Sequence, residues 1–201
     1  MTQITLSKSQ LTREKDNLAS YGRYLPALDL KRQQLMGERN KAREAVRRLE
    51  QDVARAVEAA GAALPMLADR RIRLDGLVRL KSARFGEQNV AGVRVPTVEA
   101  IEVEVASYGL LTRPHWVDDL VVKLEAAIRL RVEAQVARQR VTQLDRAVTR
   151  ITQRTNLFEK ILIPQTRINI RRIMIYLDDA ARAGVVAAKL SKRKRETEAT
   201  P

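Results

Sequence analysis

LPALDLKRQQLMGERNKAREAVRRLEQDVARAV, residues 25–57, decides the fold class. Leu25, Arg32, Arg39, Val46 and Val53 recur every seven residues, and Leu28, Leu35, Ala42, Leu49 and Ala56 follow three residues behind them. Two interleaved seven-residue series of this kind place one narrow stripe along a helix, the signature of a coiled coil. The series extends in both directions. Toward the start it takes in Ile4, Leu11 and Leu18 with Ser7, Glu14 and Tyr21; toward the centre of the chain it takes in Ala60 and Leu67 with Ala63. Of these 19 positions 15 are apolar, so the repeat outlasts what one globular helix needs. The exceptions are Ser7, Glu14, Arg32 and Arg39. Long arginine stems either lie along such a stripe with the charge in water or face a third protein.

A second stripe occupies the other end of the sequence. Ala127, Leu130, Ala134, Ala137, Val141, Leu144, Val148, Ile151, Thr155, Phe158 and Leu162 are spaced by three and four. After Pro164 the apolar positions shift to Ile170, Ile173, Leu177, Ala180, Gly184 and Ala187, a four-residue stutter that unwinds a supercoil locally. Pro26, Pro65 and Pro164 each remove an amide donor, so bends are expected there. Gly76 is a helix stop, and Pro114–Trp116 with Asp118 and Asp119 open the second helix.

Between the helices the pattern changes period. Val93 and Val95 belong to one β-branched run, residues 90–95, and Ile101, Val103 and Val105 alternate with glutamates in a second, residues 100–106. With Pro96 and Thr97 between them, these read as two short strands joined by a turn; 77–85 adds a further strand. The expected organisation is a helix over 1–76, a β-hairpin module over 77–115, a helix over 116–190 and a charged tail over 191–201. The fold class is therefore mostly α. It is a long antiparallel two-helix coiled coil with a small β-hairpin module at the end opposite the termini. Helices of roughly 70 residues would reach about 105 Å. Antiparallel pairing brings Ile4 level with Ala183 and Leu67 level with Leu120, and sets Val141, Leu144, Val148 and Ile151 against the region of Leu35, Ala42 and Val46.

Composition narrows the function. There is no cysteine and one histidine, His115, which excludes thiolate chemistry, disulfide frameworks and multi-histidine metal sites. No phosphate loop, GxGxxG or HExxH is present. Asp118–Asp119 and Asp178–Asp179 are neighbours whose side chains point in different directions on a helix, so neither is an acid–base pair. His115 reads as a boundary residue, and Trp116 as packing between hairpin and helix. No uncharged run is long enough to span a bilayer, and residues 1–11 lack a signal peptide's apolar stretch; a cytoplasmic protein is expected. Aromatics are 3% of the chain, too few for single-strand base stacking.

The net charge of +14 is uneven: residues 154–195 hold 11 basic groups against 3 acidic. A basic nucleic-acid-binding or scaffold coiled coil is one reading of that charge. The other is a shaft turning beside an acidic partner, with Arg167, Arg171, Arg172 and Arg182 as the contacting groups. For Lys192–Arg195 the expectation is a solvated, frayed tail.

LSKSQLTREKDNL (6–18) and LKRQQL (30–35), NVAGVRVP (89–96), RTNLFEKILIPQTRINIRRIMIYLDD (154–179) and ARAGVVAAKLSKRK (181–194) occur in that order. Together they resemble the D subunits of the V-type (V/A-type) ATPases and ATP synthases. Ser7, Lys8, Leu11, Lys15, Leu18, Leu28, Lys31, Arg32 and Leu35 carry the match at the start; Asn156, Leu157, Glu159, Ile163, Pro164, Ile168, Ile173, Tyr176 and Leu177 carry it at the end. Leu6, Tyr24, Pro26 and the Leu157–Phe158 pair depart from the pattern. The resemblance implies a non-catalytic rotor shaft without cofactor or metal, in an ATP-synthesising or ion-pumping complex that is peripheral on a membrane. It also implies the partners. These are the catalytic and non-catalytic nucleotide-binding ring subunits, the small F subunit of the rotor, and a funnel-like subunit leading to the membrane ring.

Overall fold

The computed structural model describes residues 5–63, 76–107 and 116–198, with side chains described to residue 195. Ile4, Pro65, Leu67, Pro114 and His115 lie outside the described residues, as does the side chain of Ala63. The elements are α1 (Lys8–Ala63), β1 (Val78–Val90), β2 (Val93–Val105), α2 (Trp116–Leu157), a π-helical turn (Phe158–Leu162) and α3 (Ile163–Glu198). They divide into two compact units. One comprises Met1–Leu30 with Ile151–Pro201, the other Lys31–Arg150.

Ser7 starts α1. Its hydroxyl accepts the Gln10 amide at 3.2 Å and its carbonyl accepts Leu11 N–H at 3.0 Å, a serine cap that satisfies amides with no helical partner. The seven-residue series then holds along the whole of the described helix. Every seam position from Ser7 through Ala60 is buried or half-buried, including Glu14, Arg32 and Arg39. Pro26 lies inside α1 without ending it. Pro26 and Gly22, whose carbonyl loses its donor, are both exposed, so water replaces the bond.

In the unit of residues 31–150, α1 and α2 run antiparallel. Arg43 Nη2 donates to both carboxylate oxygens of Asp145, at 2.9 and 3.1 Å, and Arg138 Nε donates to Glu50 at 2.8 Å. Residue numbers rise on one helix as they fall on the other. Leu35, Ala42, Ala134, Leu144 and Val148 are the buried seam; Val46, Leu49, Val53, Leu130 and Val141 are half-buried.

The ribbon belongs to the same unit. Gly76, with φ +75°, turns the chain into β1. Leu77, Trp116, Val117, Leu120 and Val121 form a buried cluster with Val78 and Leu124 packed against it, so Trp116 joins the base of the ribbon to α2. The two strands pair antiparallel from Val78–Val105 to Val90–Val93. The turn is Ala91–Gly92, both at positive φ (49° and 80°). This corrects the expected turn at Pro96–Thr97: Pro96 is inside β2, opposite Glu87, and the expected strand at 90–95 straddles the actual turn. A two-residue turn is closed by a hydrogen-bonded pair, here Val90–Val93, and strict alternation from it leaves Glu87–Pro96 unbonded. The proline nitrogen therefore points away from β1 and costs no ladder bond. Val95 is buried and Val93, Ile101 and Val103 are half-buried; Val105, at the ribbon's base, is exposed.

The other unit contains the wide turn. Ile163 N–H bonds to the Phe158 carbonyl, five residues back instead of four. Pro164 follows and cannot donate to Lys160, whose exposed position lets water take that carbonyl. Beyond it the expected stripe is only partly correct. Ile170, Ile173 and Leu177 face inward, but Ala180, Gly184 and Ala187 are exposed. The line inward is Phe158, Leu162, Thr166, Asn169, Ile173 and Leu177. The steps from Phe158 to Leu162 and from Leu162 to Thr166, both of four, are the stutter, and Thr166 and Asn169 are polar. The helix itself continues past residue 190 to Glu198.

Candidate interaction surface

The ribbon lies along the helix pair of its unit. Arg129 Nη1 donates to the Ile101 carbonyl at 3.1 Å. Further along, Pro96, Thr97 and Val98 line a groove with Glu38, Lys41, Ala42 and Ala45 of α1 and Glu133, Val136, Ala137 and Arg140 of α2. At the turn, a methyl group on Gly92 would sit 3.1 Å from Lys31 Nζ. Val136 is buried although it is off the α2 seam, as expected of a residue under the ribbon. On the groove's rim, Glu38 accepts a hydrogen bond from Lys41 at 2.9 Å and thereby raises the ammonium's pKa above its ordinary value. β1 is the outer strand: Leu80 and Phe85 are exposed along with most of its other residues.

Of the polar seam positions, Glu14 and Arg39 find side-chain partners. Arg39 approaches Asp145 at 3.9 Å while lying half-buried in the stripe, which fits a snorkelling side chain. Exposed pairs such as Arg43–Asp145 contribute at most about 1 kcal/mol each, and their value is in fixing which residues face each other. In the terminal unit, Tyr21 and Phe158 meet edge to face with centroids 5.3 Å apart. Seven residues before Tyr21 is Glu14, 8% exposed and bonded to Gln10 Nε2 at 3.0 Å; beyond Phe158 come buried Thr166 and Asn169, the latter bonded to Gln165 at 3.0 Å. Both helices of the terminal unit therefore bury polar side chains. Glu14 was visible as a break in the seven-residue pattern. Thr166 and Asn169 were not, because only apolar residues signal a stripe.

Leu11, Leu18, Leu25, Leu28, Phe158 and Leu162 are half-buried, and Ile151 is buried, in the terminal unit. Arg167, Arg171, Arg172 and Arg182 are all exposed on α3, and among the described residues none of them makes an ion pair. No described helix is long and apolar enough to cross a membrane.

A helical coiled coil that folds back on itself and carries a two-stranded ribbon between its helices is the class of protein these elements define. The model of the family of ATP synthase D subunits matches residues 10–193. Similar curated proteins include the V-type ATP synthase D subunit of Borreliella burgdorferi, 34% identical over 96% of this chain and 95% of that protein. Those of Chlamydia pneumoniae and Chlamydia muridarum are each 31% identical over 96% of this chain, and over 94% and 96% of their own lengths. The chain belongs to the family of ATP synthase D subunits.

Proposed function

We propose that this protein is a non-catalytic central-stalk component of a V-type ATP synthase or ATPase. In that role it transmits torque between a nucleotide-binding ring and a membrane ring that moves protons or sodium ions. The observation that carries the reading is the paired seam: α1 and the returning helices keep side chains facing inward from Ser7 to Ala60 and from Ala127 to Leu177. A single helix twists and melts easily, whereas two helices locked along a stripe resist shear. The full-length likeness to proteins named as V-type ATP synthase D subunits supports the same reading.

Its partners are the catalytic and non-catalytic ring subunits, the small F subunit of the rotor and the funnel-like subunit above the membrane ring, and it is peripheral on the membrane through them. Arg167, Arg171, Arg172 and Arg182 are its ring-facing basic groups. The ribbon, packed on the helices at Arg129 and near Lys31, stiffens the shaft away from the ring. ATP turnover belongs to the ring, because this chain carries no phosphate loop.

The test is reconstitution. The purified chain alone should hydrolyse no ATP, and when added to the nucleotide-binding ring it should bind one per ring and change the ring's rate. Hydrolysis by the chain alone, or a ring indifferent to it, contradicts the reading.

A further inference from the structure

In the terminal unit α1 keeps its repeat and the returning helix does not. α1 holds the seven-residue series without a break from Leu28 down to Ser7. The returning helix would match it through Ile151, Phe158, Gln165 and Arg172, together with Thr155, Leu162, Asn169 and Tyr176, each set spaced by seven. The wide turn at Phe158–Leu162 takes up one residue, so the inward places beyond it are filled one residue late. Thr166 stands for Gln165, Ile170 for Asn169, Ile173 for Arg172 and Leu177 for Tyr176. Asn169 lies between the two lines and is buried as well.

Little separates the two registers. In the wide turn Ile163 N–H bonds to the Phe158 carbonyl; in a straight turn it would take that of Glu159, one bond for one. Pro164 donates in neither form. Its ring crowds the Lys160 carbonyl in a straight turn and so favours the wide one. The present register encloses Ile173, but it also encloses Thr166, 5% exposed. Straightening would turn Tyr176, 49% exposed, inward. It would also bring Ile168 and Ile175, 48% and 53% exposed, from the far side of α3 to the edge of the stripe. Arg172 would then lie in the stripe as Arg32 and Arg39 already do in α1, where both are half-buried. Every residue from Asp178 through Arg195 is exposed, so turning that part of the helix uncovers nothing.

We propose that the wide turn is a register switch. When it straightens, α3 rotates by about 100° and advances by about 1.5 Å, and each inward place passes to the preceding residue. The wide form is the resting state. Packed helices have discrete arrangements, so rotations that leave neither set inward are disfavoured and the helix moves between two positions. α1 and the helix up to Phe158 stay in place, joined by the Tyr21–Phe158 contact. The switch lies within one chain and stands independently of the stalk reading.

The experiment measures a distance across the two helices. The chain has no cysteine, so Ser9→Cys and Met174→Cys, both at exposed positions, place two spin labels and no others. A turn of this size carries a surface side chain through about 8 Å. Interlabel distances are read by pulsed electron paramagnetic resonance on the full chain, in the labelled protein and after Pro164→Ala or Gln165→Leu/Arg172→Leu. Helix content is measured alongside; all three substituted positions are exposed. The labelled protein should show one dominant distance. Pro164→Ala relieves the crowding of the straight turn and should raise the ratio of a second distance to the first by about threefold or more. The Leu pair makes the unbroken stripe apolar and should raise that ratio by about tenfold or more. A single unchanged distance in either variant overturns the proposal. A second distance that vanishes on dilution overturns it too, because it then arises between chains.

Discussion

The ring of Tyr21 meets the ring of Phe158 edge to face, at 5.3 Å and 80°, where the returning helix widens into its π turn. Tyr21 is a seam position of α1 and Phe158 one of α2's continuation, so the contact sets the register of the terminal unit. A wide turn rotates the residues after it relative to those before it, and the aromatic pair holds the start of that rotation in place. A double-mutant cycle with Tyr21→Leu and Phe158→Leu, read by chemical denaturation, should give a coupling of about 0.5–1.5 kcal/mol. A coupling of zero would mean that the register is set elsewhere.

Thr155 is 2% exposed and its hydroxyl has no hydrogen-bond partner. Replacing it with valine keeps the shape and removes the buried polar atom. Thr155→Val should therefore stabilise the protein by about 0.5–1.5 kcal/mol in urea melts. Destabilisation of that size would show that the hydroxyl is satisfied in solution.

Ala91 occupies a left-handed conformation that costs an L-residue with a β-carbon about 1 kcal/mol. Asparagine followed by glycine is the favoured pair for this turn. Ala91→Asn should raise stability by about 0.5–1 kcal/mol, and Ala91→Val should lower it by a similar amount or more. Equal melting of all three proteins would argue against the positive φ.

Replacing residues 87–96 by Asn-Gly keeps the Gly86–Thr97 pair, which alternation from Val90–Val93 makes a hydrogen-bonded one, and the ribbon base at Trp116, and removes the outer part of the ribbon. Helix content should be retained, because the seam does not pass through the ribbon. Uncovering Val136 and losing buried Val95 should lower stability by about 1–3 kcal/mol. Loss of the helical circular-dichroism signal would instead mean that the ribbon is required for the helices to form.

The helices were legible because their evidence is repetition: Leu11 to Ala60 show one period many times over, and Arg32 and Arg39 could be placed in the stripe although neither is apolar. Trp116 was legible as a link to the ribbon because a large aromatic at a helix start has few other ways to be buried. The ribbon turn was misread because a proline between two β-branched runs is a strong turn signal, whereas Ala91–Gly92 is half of one. Pro96 fits a strand through a register that no local pattern reveals. The continuation through Thr166 and Asn169 was hidden for a related reason. A buried threonine looks like an exposed one until its neighbours are known, so the apolar pattern led to Ile170 and then to alanines that the helix partner never reaches. The candidate arginines could be named as a charged group. Their position beside an exposed apolar line emerged only when the seam side of α3 was known.

The central claim is that this chain turns while the ring around it works. Its most direct test attaches a bead to the ribbon through a cysteine introduced at the exposed Glu87, fixes the nucleotide-binding ring to a surface, and watches the bead as ATP is supplied. The account predicts rotation in one direction, in steps that require ATP and stop when it is withdrawn. A bead that stays fixed while the same assembled complexes hydrolyse ATP would contradict it.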